Sequence, residues 1–154
     1  MNAHKRKPAP RPGQHKPGKE LLFCALGGSG EIGMNVNLYG SEGKWLMVDL
    51  GMTFGANDYP GTELVFADLD FIEERRGDLL GIVLTHAHED HIGAVPYFAA
   101  ELGVPLYATP FTARLVHEKL EEAGRTGDVE LNVIDHPDNF QLGPFGVRYV
   151  PLAH

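Results

Sequence analysis

A chain of 154 residues, 43% hydrophobic and 22% charged, has the apolar content of an ordinary globular domain and the length to bury one core. This excludes a wholly disordered, collagen-like or disulfide-stapled protein, and no run nears the roughly 18 to 20 apolar residues that a membrane span needs. The net charge of -8 is uneven: Lys5, Arg6, Lys7, Arg11, Lys16 and Lys19 stand against Glu20 alone in the first twenty residues, so the body is more acidic than the whole. Composition therefore leaves a polyanionic partner open, the basic tail favouring one and the acidic body opposing it.

Residues 1–20 are rich in Pro, Lys, Arg and Gly with no apolar periodicity, which predicts a disordered basic arm without a secretory or transit signal. From Leu21 the pattern is of alternating strands and helices. Leu21 to Leu26 is an apolar run, and it makes the single Cys24 a small buried hydrophobe, in keeping with a reducing, cytoplasmic setting. Asn35 to Tyr39 and Trp45 to Leu50 flank Gly40-Ser41-Glu42-Gly43 as a hairpin. A helix is expected over Asp68 to Arg76, with Leu69, Ile72 and Phe71 inward, then a strand over Gly81 to Leu84. Ile92 to Leu102 reads as a helix stopped by Gly103, and Val104 to Ala108 as a strand. Thr109-Pro110 caps a helix through Ala123 that Gly124 ends; Val129 to Ile134 and Gly146 to Val150 are further strands. Trp45 and Phe23 read as core aromatics.

Chemistry concentrates in Leu84-Thr85-His86-Ala87-His88-Glu89-Asp90-His91-Ile92-Gly93. Three of the eight histidines and an aspartate fall within six residues, between an apolar strand and a helix. Residues two apart, such as His86 and His88, share one side of an extended chain, whereas Asp90 and His91 follow where the backbone turns into the helix. One loop can thus offer two imidazoles to one metal and a carboxylate plus an imidazole to a second. Mixed nitrogen and oxygen donors suit zinc, with manganese possible.

This run resembles the metallo-β-lactamase superfamily, whose signature at such a strand-to-helix turn is His-x-His-x-Asp-His. The resemblance implies an α/β protein of αββα sandwich fold, with residues 21–154 as roughly its first half. It implies that Asp49, in Met47-Val48-Asp49-Leu50-Gly51, supports the metal site without binding metal, and that His154 joins His86 and His88 on one metal while Asp90 and His91 begin a second. Gly27-Gly28-Ser29-Gly30-Glu31-Ile32-Gly33-Met34-Asn35 and Thr85 through Tyr97 are similar to the ribonuclease J family, the bacterial members of the β-CASP nuclease branch. Glu89 and Val95-Pro96-Tyr97 are the more branch-specific points, and Ala94 departs from a common second glycine.

That resemblance implies a zinc-dependent ribonuclease, acting internally and from the 5' end on 5'-monophosphorylated RNA, with Asp90 and His91 catalytic. It also implies a dimer or tetramer. The family pattern needs a bridging carboxylate, another histidine and the β-CASP insert, none of which falls within these 154 residues, so this stretch alone is expected to bind metal weakly and leave RNA intact. Two other functions stay open: a hydrolase of thioesters, lactones or β-lactams in the same superfamily, and a non-catalytic metal-binding module.

Gly28-Ser29-Gly30-Glu31-Ile32-Gly33 is also a formal G-x-G-x-x-G, with Asp49 at a distance suited to a ribose contact. A dinucleotide site needs a helix opening at those glycines. Met34 to Gly40 instead alternates with period two, so a tight turn beside the metal loop is the better expectation. His117, His136, His4 and His15 read as surface residues, and Glu118, Glu121 and Glu122 as a solvated helix face.

Overall fold

The computed structural model describes residues 20–55, 61–135 and 139–152. The basic arm, His136 and His154 therefore lie outside the described residues. Strand β1 (Leu22–Gly27) runs antiparallel to β2 (Val36–Ser41), which returns through a two-residue turn into β3 (Lys44–Val48). Ser41 pairs with Lys44, and both turn residues have positive φ, 51° at Glu42 and 77° at Gly43, the pairing whose twist matches the flanking strands. Gly40 belongs to the strand rather than to the turn. A Cβ there would stand 2.7 Å from the Trp45 ring, which lies across it and meets Phe71 edge-on at 5.2 Å.

From β3 the sheet becomes parallel, through β6 (Leu79–Val83), β7 (Leu106–Ala108) and β8 (Leu131–Val133), giving the order β1-β2-β3-β6-β7-β8. Between β3 and β6 lie a small hairpin, β4 (Met52–Phe54) with β5 (Leu64–Phe66), and the short helix α1 (Asp70–Glu73). Helix α1 is shorter than the Asp68 to Arg76 expected. The chain tightens into a 3-10 turn over Arg76–Asp78 once Ile72 is buried, and Gly77 gives helix continuation no support. The inward set was expected correctly: Leu69 and Ile72 are buried and Phe71 packs against them.

Two helices stand where one was expected over Ile92 to Leu102. Helix α2 (Glu89–Ile92) begins inside the histidine run, and α3 (Val95–Leu102) follows a break at Gly93-Ala94. Bonds across the fold make the break: the carbonyls of Asp90 and His91 accept from Asn35 and Leu50 and the Ala94 N–H donates to Leu50 O at 3.0 Å, while Pro96 has no N–H for the carbonyl of Ile92. Gly103, at φ 66°, ends α3 in the left-handed region. Helix α4 (Pro110–Glu122) matches expectation, except that the Thr109 hydroxyl bonds Thr112 Oγ1 at 3.2 Å and caps no backbone N–H. The last described elements form a hairpin, β9 (Asn139–Leu142) and β10 (Phe145–Arg148), the latter starting one residue and ending two residues before the strand expected at Gly146 to Val150.

Neighbouring residues of each central strand point to opposite faces and so build two cores. Met47 and Ile82 join Ile92, Val95, Leu102, Val116 and Leu120 beneath the helices. Leu46 and Val83 join Phe145, Tyr107 and Tyr149 beneath the β9–β10 hairpin. Each fully buried Leu, Ile or Val contributes roughly 1.5–3 kcal/mol. The layers are thus helices, main sheet and second sheet, the order expected for the first part of an αββα sandwich. Cys24 is half-buried against the larger core, as expected of a small hydrophobe. Phe23 is a correction: it is 57% exposed, because its side chain points to the face of β1 opposite Cys24, away from the larger core.

Candidate metal centre

Strand β6 sits between β3 and β7, so the chain leaving its carboxyl end emerges at the middle of the sheet. Leu84 N–H bonds the Tyr107 carbonyl at 2.9 Å, and the Tyr149 hydroxyl donates to the carbonyls of Leu84 (3.0 Å) and Tyr107 (2.7 Å). Burial raises the Tyr149 hydroxyl above its ordinary pKa of 10.0, and the charge of Asp49 adds to the rise. It stays a phenol and a donor. The extended chain then carries Thr85 to His88 out of the sheet before α2 turns Asp90 and His91 back under it.

Asp49 organises this loop. It is 4% exposed, has φ 65°, and its N–H is held by Val83 O at 2.9 Å. A non-glycine residue in that region costs about 1 kcal/mol or more and persists only where its surroundings impose it. Here the backbone turns so that the carboxylate accepts from Thr85 N (2.8 Å), from the Thr85 hydroxyl (2.9 Å) and from His91 Nδ1 (2.7 Å). With its proton committed to Asp49, the Thr85 oxygen accepts from His86 Nδ1 at 3.0 Å. One carboxylate therefore fixes the tautomers of two histidines, and in both the lone pair falls on Nε2.

The three rings lie together, with His86 4.7 Å from His88 and 4.0 Å from His91 between centroids. His91 Nε2 faces Asp90 Oδ2 at 3.3 Å. Burial lowers the pKa of His91, but the hydrogen bond and charge of Asp49, with the charge of Asp90, outweigh it and leave the ring above its ordinary 6.5. The groups gathered are imidazole nitrogens with a carboxylate alongside, the tautomers of His86 and His91 already set, which fits a zinc-type cation. Among the described residues, no three His, Cys, Asp or Glu side chains close on a single ligating point. His154, expected to complete the first set, lies outside them.

Residues that the sequence left without a role hold the loop in place. Asn35 donates its backbone N–H to Asp90 O at 2.8 Å, and its side-chain amide reaches Asp90 O, Asp90 Oδ2 and His91 Nε2 at 3.0, 3.1 and 3.2 Å. Leu50 N–H bonds His91 O at 2.8 Å. Gly51 passes so close that a Cβ would lie 1.8 Å from Asp90 O. Glu89 pairs with Lys119 of α4, while its other oxygen is buried without a hydrogen bond among the described residues. Asn35 and Thr85 flank recognisable motifs, but nothing in the spacing announces these partners. A cleft of about 600 Å³ opens beside the loop, lined by Thr85, His86, Thr109, Arg148 and Tyr149 among others. The G-x-G-x-x-G run leads into strand β2 and not into a helix, as its period-two sequel implied.

Residues 30–152 match the family described as the Metallo-beta-lactamase superfamily. The chain belongs to the metallo-β-lactamase superfamily. Among curated proteins, this superfamily member is 41% identical over 140 residues to ribonuclease J of Sinorhizobium meliloti, covering 88% of this chain and 25% of that one. It is 43% identical over 135 residues to ribonuclease J of Mycolicibacterium smegmatis, covering 87% and 24%. Ribonuclease J of Helicobacter pylori matches at 32% over 135 residues, covering 87% and 20%. The resemblance to ribonuclease J is borne out, and the chain spans about a quarter of the length of the curated relatives it matches. Among solved structures, the metallo-beta-lactamase fold protein YhfI from Bacillus subtilis aligns with a TM-score of 0.50 at 17% identity, covering 80% of this chain and 49% of that one, which supports the fold alone. No helix of the described residues is long and apolar enough to cross a membrane.

Proposed function

We propose that this chain is the metal-loop portion of a cytoplasmic, metal-dependent ribonuclease that hydrolyses RNA phosphodiester bonds from the 5' end and internally. The observation that carries the reading is the cluster of His86, His88 and His91 beside Asp90, lying within the stretch that matches ribonuclease J proteins. His86, His88 and His154 would hold one zinc or manganese ion, and Asp90 and His91 would begin the site of a second. When bound, such a pair lowers the pKa of a water and neutralises charge developing on the phosphate oxygens.

The chain's own residues supply order. Asp49 keeps Nδ1 of His91 protonated and, through Thr85, that of His86, so both rings offer Nε2. Asp90 lies against His91, ready to hold a cation or to accept a proton. Arg148, exposed in the lining of the adjoining cleft, is a cation that suits a phosphodiester backbone. A 5'-monophosphate preference and assembly as a dimer or tetramer belong to the same proposal.

The test uses the complete protein, purified metal-free and reloaded with zinc or manganese. With 5'-monophosphorylated RNA the expected products are mononucleotides, lost on chelation and in His88→Ala. Hydrolysis of a lactone or thioester with RNA left intact would replace the nuclease with another hydrolase. Unchanged RNA processing in cells carrying His88→Ala would favour a non-catalytic module.

A further inference from the structure

Asn35 closes the glycine-rich run, 55 residues before Asp90, yet its side chain lies in the middle of the cluster. The contacts are selective. If the amide served only to hold the loop, the bond to the Asp90 carbonyl at 3.0 Å would suffice, and the backbone N–H of Asn35 already makes a stronger one to that carbonyl at 2.8 Å. Instead Nδ2 also stands 3.1 Å from Asp90 Oδ2 and 3.2 Å from His91 Nε2. Because Asp49 takes the Nδ1 proton of His91, Nε2 is an acceptor, so the amide donates to both atoms. A neutral group with two hydrogens is suited to hold two acceptors toward one point before a cation arrives.

The glycine run explains how the amide gets there. Gly28 has φ 81°, and a Cβ on it would stand 2.1 Å from Asn35 Oδ1 and 2.7 Å from Cγ. Only glycine leaves that slot open. The motif that mimics a dinucleotide fingerprint thus has its use in seating one side chain.

We propose that Asn35 is a positioning residue that pre-assembles the Asp90–His91 half of the metal centre, its amide seated in a slot that Gly28 keeps open. This rests on the metal-centre reading above. Its loss is expected to weaken the metal site built on Asp90 and His91, and to spare the site built on His86 and His88.

The experiment titrates zinc calorimetrically into the metal-free complete protein, with cobalt(II) as a spectroscopic probe of the same sites. In Asn35→Ala, one equivalent should bind about 10–100-fold more weakly, as is usual on losing a group that orients ligands, while the other stays within about threefold. The cobalt bands of the weakened site alone should shift. The metal-free melting temperature should stay near that of the wild type, because the backbone bonds of Asn35 to Asp90 and Gly51 survive the substitution. Asn35→Ser, whose hydroxyl cannot span both acceptors, should reproduce the selective loss. Unchanged affinity for both equivalents, or equal weakening of both with a fall in melting temperature, overturns the inference while leaving the metal centre standing. A wild type that takes up no metal overturns both readings together.

Discussion

At the scale of single residues, Asp49 is where the backbone accepts an unfavourable conformation in return for three hydrogen bonds to one carboxylate. In Asp49→Asn the charge that, with Asp90, holds the His91 pKa up against burial is lost, and the tautomers of His86 and His91 are less firmly set. Zinc affinity is expected to fall about 10–100-fold, measured by competition with a chelating dye. The same pair predicts a pH dependence. His91 titrates above its ordinary 6.5 in the folded state, so its contribution to metal-free stability is fully present below about that value. It is lost as pH rises through the raised folded value. The melting temperature of the metal-free protein should therefore decline over that window, and Asp49→Asn should flatten the decline. Metal affinity should climb over the same interval, since only the neutral ring binds metal.

At the scale of elements, the site is an agreement among strand ends. The segment after β3 meets the α2 turn so closely that Gly51→Ala would drive a Cβ into the Asp90 carbonyl, a backbone atom that cannot swing aside. A loss of about 3 kcal/mol or more is expected in chemical denaturation, with metal binding lost in parallel. The second sheet is tied to the loop by Tyr149, whose hydroxyl bridges the ends of β6 and β7. Tyr149→Phe should cost about 1 kcal/mol, read from the denaturation midpoint at constant slope. Long periodic segments such as α4 and the β2–β3 hairpin were legible from pattern alone. The short pair β4–β5 was not, because three-residue strands carry too few alternations to be distinguished from loop. Nor was the split between α2 and α3, because the backbone groups of Asp90, His91 and Ala94 bond Asn35 and Leu50 across the fold.

At the scale of the whole molecule, the net charge of -8 is the sum of a basic arm and a body more acidic than the whole, so it says little about the surface that would meet a polyanion. Residues 1–154 expressed alone are expected to bind metal weakly and to leave RNA intact, while a protein of the relatives' length carrying the same loop cleaves it. Efficient metal-dependent cleavage by the short form would show that the loop and its neighbours suffice. The exposed Phe23 was misjudged for a reason of the same scale: strand pattern reports two-sided apolarity but not whether another layer arrives to cover each face.

The gathering of His86, His88, Asp90 and His91 at one strand-to-helix turn was readable without any coordinates, because residues two apart on an extended chain, and then a turn into a helix, set their directions locally. So were the rejection of the dinucleotide reading and the alternation of strands and helices. Only the tertiary structure decided that Asn35 and Tyr149 converge on that loop from 55 and 65 residues away from their partners, and only it gave the bonds by which Asp49, expected there by resemblance, holds the loop from 42 residues away. Such meetings depend on sheet order and register, which place strand ends side by side. No local spacing in the chain encodes them.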